Sequence, residues 1–348
     1  MKMTRIVSKL RKIPTLAVKT FILANAIVRI SRAGNNQKRI GRLAQTMTLI
    51  LTQFSVLSRI VRSSRSDASS IPHNNENLRF CLVLGNGPSL SNDIDFLLPV
   101  SRHLDILCVN DFAITDLYGS IQPRYYVFAD PCWWLADSPA VIVARREKVF
   151  GAIVNNTTWD LHIFVPYEAY EYFQRVFLDS RSVSVHYFNN DGCGSNCSFA
   201  HSLYDMGLAM PFCQNVLVAA LYMTLRLNYK KIIIVGADHS WHQSLLLDDN
   251  NLVCMNNRHF YDQETSLSPW SKDGTVDNIW SMGELFHALA KMFEGYEEIE
   301  KYSLYRNAKI YNASSMTFID AFQRRNILSL IEDIWTSVEG RPSEMGGQ

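Results

Sequence analysis

Residues 79–90, RFCLVLGNGPSL, constrain the fold of this chain more than any other stretch. Residues 80–84 are wholly apolar and rich in strand formers, which predicts a strand buried on both faces of a parallel sheet. Gly85 and Gly87 then permit a sharp turn and let a ligand approach the backbone. Pro88 suits the first turn of a helix. The stretch therefore predicts a strand, a glycine turn and a helix start, a combination that can hold a phosphate.

Two polar side chains in this turn support a nucleotide-binding hypothesis. The Asn86 amide and the Ser89 hydroxyl could form hydrogen bonds where a nucleotide would lie. The pattern is not a full G-x-G-x-x-G, because its sixth position is Leu90, and it lacks the lysine of a P-loop. A plain strand-to-helix turn therefore stays open as the alternative.

The rest of the chain alternates strand-like apolar runs with helical stretches. This order is typical of an α/β fold with a Rossmann-like, doubly wound and mostly parallel sheet. A strongly apolar helix is predicted at 210–227 and another helix at 275–293. Further strands are predicted at 105–109, 124–129, 149–154, 162–165, 183–188, 231–236 and 308–311.

Polar residues directly follow several of the predicted strands. In a doubly wound sheet the ligand crevice lies outside the carboxyl ends of the strands. Any one of these residues could instead cap the following helix, but five at one edge favour a binding site. The five are Asn86, Asn110, Asp130, Asn155 and Asp238.

The first 65 residues form a basic segment. They hold fourteen Lys and Arg and no Asp or Glu, although the net charge of the whole chain is only +1. Their apolar residues recur at near-helical spacing, and the longest charge-free run, 43–58, is shorter than the ~20 residues that span a bilayer. We expect a basic amphipathic helical arm on an anionic membrane surface. The alternative is a helical hairpin that packs on the folded domain or on a second copy in a homo-oligomer.

The remaining boundaries follow from composition. A polar linker is predicted at 66–77, a nucleotide-binding domain at 78–330 and a C-terminal tail at 331–348. The arm has few aromatic residues for stacking on bases, which argues against nucleic acid as a partner. The seven cysteines are odd in number and scattered, so neither a zinc site nor an oxidising compartment is indicated. Asp238, His239 and His242 also lack a standard metal-ligand spacing, and we expect no bound metal.

The polar, irregular stretch at 250–262 predicts a lid loop that folds over the site. His259 in this loop is a candidate general base, because the unperturbed pKa of histidine lies near neutrality. An ordinary surface histidine is the alternative. Arg258 or Tyr261 could stabilise a leaving phosphate.

Four motifs resemble those of the bacterial CMP-sialic acid sialyltransferases of lipooligosaccharide synthesis. The first is the strand that runs into GNGPSL at 85–90, and the second is Cys108-Val109-Asn110 at the end of the next strand. The third is the apolar helix, lysine-containing turn and strand at 214–238, which ends in Gly-x-Asp. The fourth is the His-aromatic pair at 259–261. Together they cover 79–262, and the similarity extends loosely to about residue 325.

This resemblance implies roles for individual residues. Asn86, Ser89 and Asn110 would contact the cytidine nucleotide. His259 would deprotonate the acceptor hydroxyl, and Tyr261 would bind the leaving phosphate. The family has a Ser-Gly pair where this chain has Gln214-Asn215, which leaves the donor sugar open. With the residues of the glycine turn and Asp238 added, the predicted nucleotide-binding set is Gly85, Asn86, Gly87, Ser89, Asn110, Gln214, Asn215 and Asp238.

The same resemblance implies a function. The chain would be a glycosyltransferase of bacterial surface polysaccharide or lipooligosaccharide synthesis that needs no cofactor. It would transfer a sialic acid-like acidic sugar from a CMP-sugar to a glycan hydroxyl with inversion. The enzyme would be cytoplasmic and peripheral on the inner membrane, where lipid-linked glycan acceptors are made.

Two other hypotheses remain open. The glycine motif also resembles the 6-hydroxymethylpterin diphosphokinase-like proteins and related flagellin glycosylation factors, and RYYVFADP at 124–131 looks closer to that group. In a diphosphokinase, Asp130 and Asp238 could hold Mg²⁺ on a triphosphate. A non-catalytic nucleotide-binding or scaffold protein of a surface polysaccharide system is the third hypothesis.

Overall fold

The computed structural model of the protein describes residues 80–194, 199–256, 267–272 and 278–339. The basic arm at 1–65 and the linker at 66–77 lie outside these residues. The strands are β1 Phe80–Leu84, β2 Asp105–Val109, β3 Tyr125–Val127, β4 Leu161–Pro166, β5 Val183–Phe188, β6 Lys231–Val235, β7 Leu245–Leu247, β8 Val253–Asn256, β9 Leu267–Pro269, β10 Lys309–Asn312 and β11 Gln323–Arg324. The helices are α1 Leu90–Leu97, α2 Tyr118–Ile121, α3 Ala140–Asn156, α4 Tyr170–Val176, α5 Ala200–Asp205, α6 Val216–Arg226, α7 Met282–Tyr305 and α8 Ile327–Glu339.

Eight strands form one parallel sheet in the order β11-β10-β6-β1-β2-β3-β4-β5. The chain winds outward from β1 to β5, returns to place β6 beside β1, and then winds outward in the other direction. The strand order therefore reverses between β1 and β6. In doubly wound sheets this reversal opens the ligand crevice, so the fold class predicted from the sequence is confirmed.

Two hydrophobic layers cover the sheet. Alternate side chains of β1 point to opposite faces, so Cys81 and Val83 belong to one layer and Leu82 and Leu84 to the other. Helix α6 packs on β1, β2 and β3 and against α7, whereas α1, α3, α4 and α8 contribute to the second layer. Burial on both faces explains why the central strands are continuous apolar runs in the sequence.

A small antiparallel sheet of β7, β8 and β9 follows β6. Residues 253–256 of the predicted lid loop are strand β8. Leu245 pairs with Met255, and Leu245 directly follows Ser244, which lines the crevice at the β1–β6 reversal. The described part of β8 therefore ends close to that crevice.

Three sequence predictions need correction. Residues 149–154 are not a strand but the last turns of α3, whose buried Arg146, Val149, Phe150 and Ile153 recur at helical spacing. Asn155 is consequently a helix residue and not a strand-end ligand. The helix predicted at 210–227 begins only at Val216, because Met210 pairs with Gly192 in an isolated bridge.

The ends of two other elements also differ from expectation. The second long helix runs over Met282–Tyr305 and not 275–293, and it begins at a capping box of Ser281 and Glu284. The predicted domain end at 330 falls inside α8, where Leu330 and Ile334 are each 1 % exposed. The packed domain therefore continues into the predicted tail. Within the described ranges, no helix is long and apolar enough to cross a membrane.

Candidate functional site

A cavity of about 350 Å³ lies where the strand order reverses. Its walls are the turns that follow β1, β2 and β6, together with the first residues of α6 and one residue of α3. These walls meet because the carboxyl ends of parallel strands lie at the same edge of a sheet. The lining includes Asn86, Gly87, Asn110, Asp111, Arg145, Asn215, Asp238, His239 and Trp241. The crevice expected from the sequence is therefore present at this edge.

The glycine turn is packed directly against the turn after β6. The Gly85 amide donates to the Val235 carbonyl and the Gly87 amide donates to the Gly236 carbonyl, each at 2.8 Å. A β-carbon on Gly85 would lie 2.3 Å from the Gly236 carbonyl oxygen. The two glycines thus serve first to let two backbone turns touch.

Asp238, in the turn after β6, is hydrogen-bonded to Ser89 at the start of α1. It accepts hydrogen bonds from the Ser89 amide at 2.9 Å and from the Ser89 hydroxyl at 2.5 Å. Burial raises the pKa of Asp238, and the two bonds from Ser89 partly oppose that rise. In this conformation the amides of Gly87 and Ser89 are bonded within the protein, so the expectation that phosphate lies against them is revised.

Two asparagines that line the cavity each carry a buried side-chain oxygen without a hydrogen-bond partner in the described part of the chain. Asn86 donates its side-chain amide to the Val109 carbonyl at 3.0 Å. Its Oδ1, like that of Asn110, is buried and has no hydrogen-bond partner among the described residues. Asn110 has a φ of 50°, which asparagine tolerates better than most residues. Because a buried oxygen without a donor is unfavourable, both atoms favour a ligand that carries N–H or O–H groups.

The start of α6 forms the opposite wall. Asn215 caps this helix, since its Oδ1 accepts from the Leu217 amide at 2.8 Å. The Tyr296 hydroxyl on α7 donates to the same oxygen at 3.3 Å. That hydroxyl also forms a hydrogen bond with Nε2 of His239. The α6 cap and the turn after β6 are thereby joined through one tyrosine.

His239 is a neutral, buried member of this wall. It is 6 % exposed and has a φ of 53°. Burial lowers its pKa to about 3. Its ring stacks on Trp241 with the ring centres 4.7 Å apart. At neutral pH the His239 ring is therefore uncharged and packs against Trp241 in the wall of the cavity.

An arginine on α3 supplies the positive charge of the cavity. Arg145 Nε donates to Asp111 Oδ1 at 2.7 Å, and Nη2 donates to the other carboxylate oxygen. Its Cζ lies 5.0 Å from the centre of the Trp133 ring. Sequence reasoning missed this group, because Arg145 and Asp111 are 34 positions apart and no motif connects them.

The structure brings together only part of the predicted nucleotide-binding set. Asn86, Gly87, Asn110, Asn215 and Asp238 line the cavity. Ser89 does not line the cavity but donates hydrogen bonds to Asp238, which does. Gly85 packs against Gly236 where the turns after β1 and β6 meet.

Other predicted site residues lie elsewhere. Gln214 is exposed and lines a different cavity, beside Phe212 and Glu298. Asp130 is exposed and does not line the cavity at the β1–β6 reversal; its carboxylate accepts from the Cys132 amide at 3.2 Å. Arg258, His259 and Tyr261 lie outside the described residues.

In the ranges that the structure describes, no group of three or more His, Cys, Asp or Glu side chains could hold a metal ion. His239 bonds to Tyr296, and the exposed His242 packs against Phe318 with the ring centres 4.4 Å apart. These two histidines thus have separate surroundings.

No protein-family model and no curated protein sequence matches this chain. One similar solved structure is that of the MAf glycosyltransferase from Magnetospirillum magneticum AMB-1, with 12% identity and a TM-score of 0.44. The match covers 86% of this chain and 45% of that one. A similarity of this size carries no argument about function, which has to be inferred from the cavity.

Proposed function

We propose that this chain is a nucleotide-sugar-dependent glycosyltransferase whose donor nucleotide binds in the cavity between β1 and β6. The observation that carries the proposal is the pair of buried, unsatisfied oxygens of Asn86 and Asn110 at this reversal of strand order. Ligands of doubly wound sheets bind at such a point. A nucleoside carries amino, imino and hydroxyl donors that match the two oxygens.

Three further features of the cavity support a nucleotide in particular. Its volume of about 350 Å³ falls in the usual range for small-molecule sites. Trp241 offers an aromatic ring, which a base or a sugar can contact. The start of α6 points at the cavity, and helix starts favour negative charge. The site therefore combines acceptors, an aromatic ring and a region of positive potential.

The resemblance noted in the sequence supports a finer proposal, in which the donor is a CMP-linked acidic sugar. The acceptor hydroxyl oxygen would attack the anomeric carbon while the bond from that carbon to the phosphate oxygen breaks. His259 would take the hydroxyl proton, CMP would leave with its electron pair, and Tyr261 would contact its phosphate. The acceptor would be a glycan, and the basic arm at 1–65 would hold the enzyme at an anionic membrane surface.

A panel of CMP-, UDP- and GDP-sugars tests the enzymatic proposal through the nucleotide released on hydrolysis or transfer. We expect release from one nucleotide class and loss of that release in an Asn86→Ala/Asn110→Gly double variant. If the double variant releases nucleotide as fast as the wild type, the cavity is not the donor site. Release from none of the donors, with glycan acceptors present, would contradict the transferase proposal.

The Mg²⁺-dependent diphosphokinase has less support from the site. That hypothesis places one metal between Asp130 and Asp238, but only Asp238 lines the cavity. Asp130 is exposed and starts the turn at Pro131–Trp133. An ATP- and Mg²⁺-dependent reaction would nevertheless favour the diphosphokinase hypothesis over the transferase.

Asn110→Gly is expected to weaken nucleoside binding by about 5- to 10-fold, the effect of one lost hydrogen bond. Glycine accepts the φ of 50° without strain, so the free energy of unfolding should change little. Isothermal titration with the best nucleoside of the panel measures the effect. Asn251→Gly is the matched control, because Asn251 has a φ of 60° and is exposed outside the cavity. Equal affinities of Asn110→Gly and wild type would remove Asn110 from the site.

A further inference from the structure

Arg145 is the one Lys or Arg among the described residues that line the cavity at the β1–β6 reversal. Its side chain is 40% exposed, whereas the side chain of its partner Asp111 is only 5% exposed. Because one member is buried and the other is partly exposed, the pair adds only modest net stability. The pair is therefore better explained by the positioning of the Arg145 guanidinium at the cavity than by a contribution to stability.

Two contacts fix the orientation of the guanidinium. Asp111 accepts from both Nε and Nη2, and the Trp133 ring lies against the guanidinium face. A planar guanidinium held in this way loses little further entropy when it binds an anion. The two bonds to Asp111 use two of the five N–H groups of the guanidinium, and guanidinium N–H groups match the oxygens of a phosphate. Arg145 is therefore prepared as an anion-binding group before a ligand arrives.

The surroundings of Arg145 indicate which anion it would meet. Asn110 and Asp111 are consecutive residues that both line the cavity. The Oδ1 atom of Asn110, which we propose accepts a hydrogen bond from the nucleoside, is therefore next in the chain to the carboxylate that holds Arg145. The amides of Gly87 and Ser89 already donate to Gly236 and Asp238. A phosphate bound here would not use those two amides, and beside the start of α6 the cavity offers it the Arg145 side chain.

We propose that Arg145 binds the phosphate of the donor nucleotide and that Asp111 is the residue that positions Arg145. This assignment rests on the proposed nucleotide site, and it adds the phosphate-binding group that the sequence motifs did not provide. The ligand class is a nucleotide and not a free nucleoside.

The test compares CMP with cytidine by isothermal titration of the full chain. Arg145→Gln is expected to lower CMP affinity by about 10- to 100-fold, the effect of losing hydrogen bonds from a charged group. Cytidine affinity should change by less than about 2-fold, since cytidine has no phosphate. Because Arg145→Gln leaves a carboxylate buried without its charge partner, an Asp111→Asn/Arg145→Gln double variant is measured as well. The double variant should fold and show the same selective loss.

The chain contains a closely matched control pair. Arg124 and Asp105 form an ion pair at 3.1 Å with side chains 46% and 2% exposed, but they lie at the amino-terminal edge of the sheet, where they line another cavity. An Asp105→Asn/Arg124→Gln variant should keep the wild-type ratio of CMP to cytidine affinity. If this control shows the same selective loss, the effect is not specific to Arg145.

The outcomes separate this inference from the proposed function. Equal losses for CMP and cytidine in Arg145→Gln, or wild-type CMP affinity in the double variant, would overturn the phosphate role and leave the nucleoside site intact. If wild type binds neither CMP nor cytidine, the same comparison is made with UMP and uridine and with GMP and guanosine. Absence of binding for all three pairs would overturn the nucleotide site and the role of Arg145 together.

Discussion

Gly85→Ala is expected to lower the free energy of unfolding by about 3 kcal/mol or more, at the upper end of overpacking effects. The new β-carbon would lie 2.3 Å from the Gly236 carbonyl oxygen and 2.9 Å from the Gly236 carbonyl carbon. Both atoms belong to the backbone, which cannot rotate away as a side chain would. The Gly85–Val235 and Gly87–Gly236 hydrogen bonds would have to break or lengthen. The turn that places Asn86 at the cavity would therefore be displaced.

Urea denaturation of Gly85→Ala beside Gly151→Ala measures this effect. Gly151 lies inside α3, and a β-carbon there would have nothing within 4 Å. Alanine in a helix interior is favoured over glycine, so Gly151→Ala should be more stable than wild type by about 0.5–1 kcal/mol. Equal stability of Gly85→Ala and wild type would contradict the packing described for the two turns.

The second large effect is a loss of stability in acid that depends on His239. The folded protein holds this histidine with a pKa of about 3 because of burial, whereas an unfolded chain has a histidine pKa of about 6.5. Between these values the unfolded state binds more protons, so the free energy of unfolding falls as the pH falls. From pH 7 to pH 4.5, His239 alone should account for a loss of roughly 2.5 kcal/mol.

A His239→Asn variant isolates this contribution. Asparagine tolerates the φ of 53° and does not titrate, so the variant starts less stable but loses less stability in acid. The measurement is the difference between the two unfolding free energies at pH 7, 6, 5 and 4.5. The exposed His287→Asn variant is the control and should follow the wild-type curve. If wild type and His239→Asn lose stability in parallel, His239 is not held neutral in the folded state.

Much of the sheet could be predicted from the sequence because its central strands are buried on both faces. After a charged first residue in β2 and β6, the runs of β1, β2 and β6 are apolar throughout, and they end at glycine or at polar residues. The run at 149–154 has the same composition but belongs to α3. Its buried positions follow a period that begins at Arg146, a charged residue that the apolar run does not include.

The candidate site could be predicted only where its residues follow a strand. Asn86, Asn110 and Asp238 were found in this way, and all three line the cavity. Arg145 and Tyr296 reach the same region from helices α3 and α7, where local sequence gives no signal of the contact. Gln214 and Asn215 are both predicted from the position where the resembled family has a Ser-Gly pair. In the structure Asn215 caps α6 and lines the cavity, whereas Gln214 is exposed toward another cavity.

The packing partner of the glycine motif can be identified only from the three-dimensional structure. The sequence predicts close approach at Gly85 and Gly87 but not the identity of the approaching group. In the structure that group is the turn after β6, and Asp238 receives the Ser89 amide and hydroxyl. Only the order of the strands reveals that these two turns are neighbours.

The most direct test of the nucleotide site is thermal denaturation with CMP, CDP, UDP, GDP and ATP, each with and without Mg²⁺. A ligand that binds only the folded state adds about 2.7 kcal/mol of stability at 100 times its dissociation constant. We predict that at least one cytidine nucleotide raises the Tm of the wild type without Mg²⁺ and fails to do so in Asn86→Ala/Asn110→Gly. If no nucleotide raises the Tm, or if both proteins are stabilised equally, the cavity between β1 and β6 is not a nucleotide site.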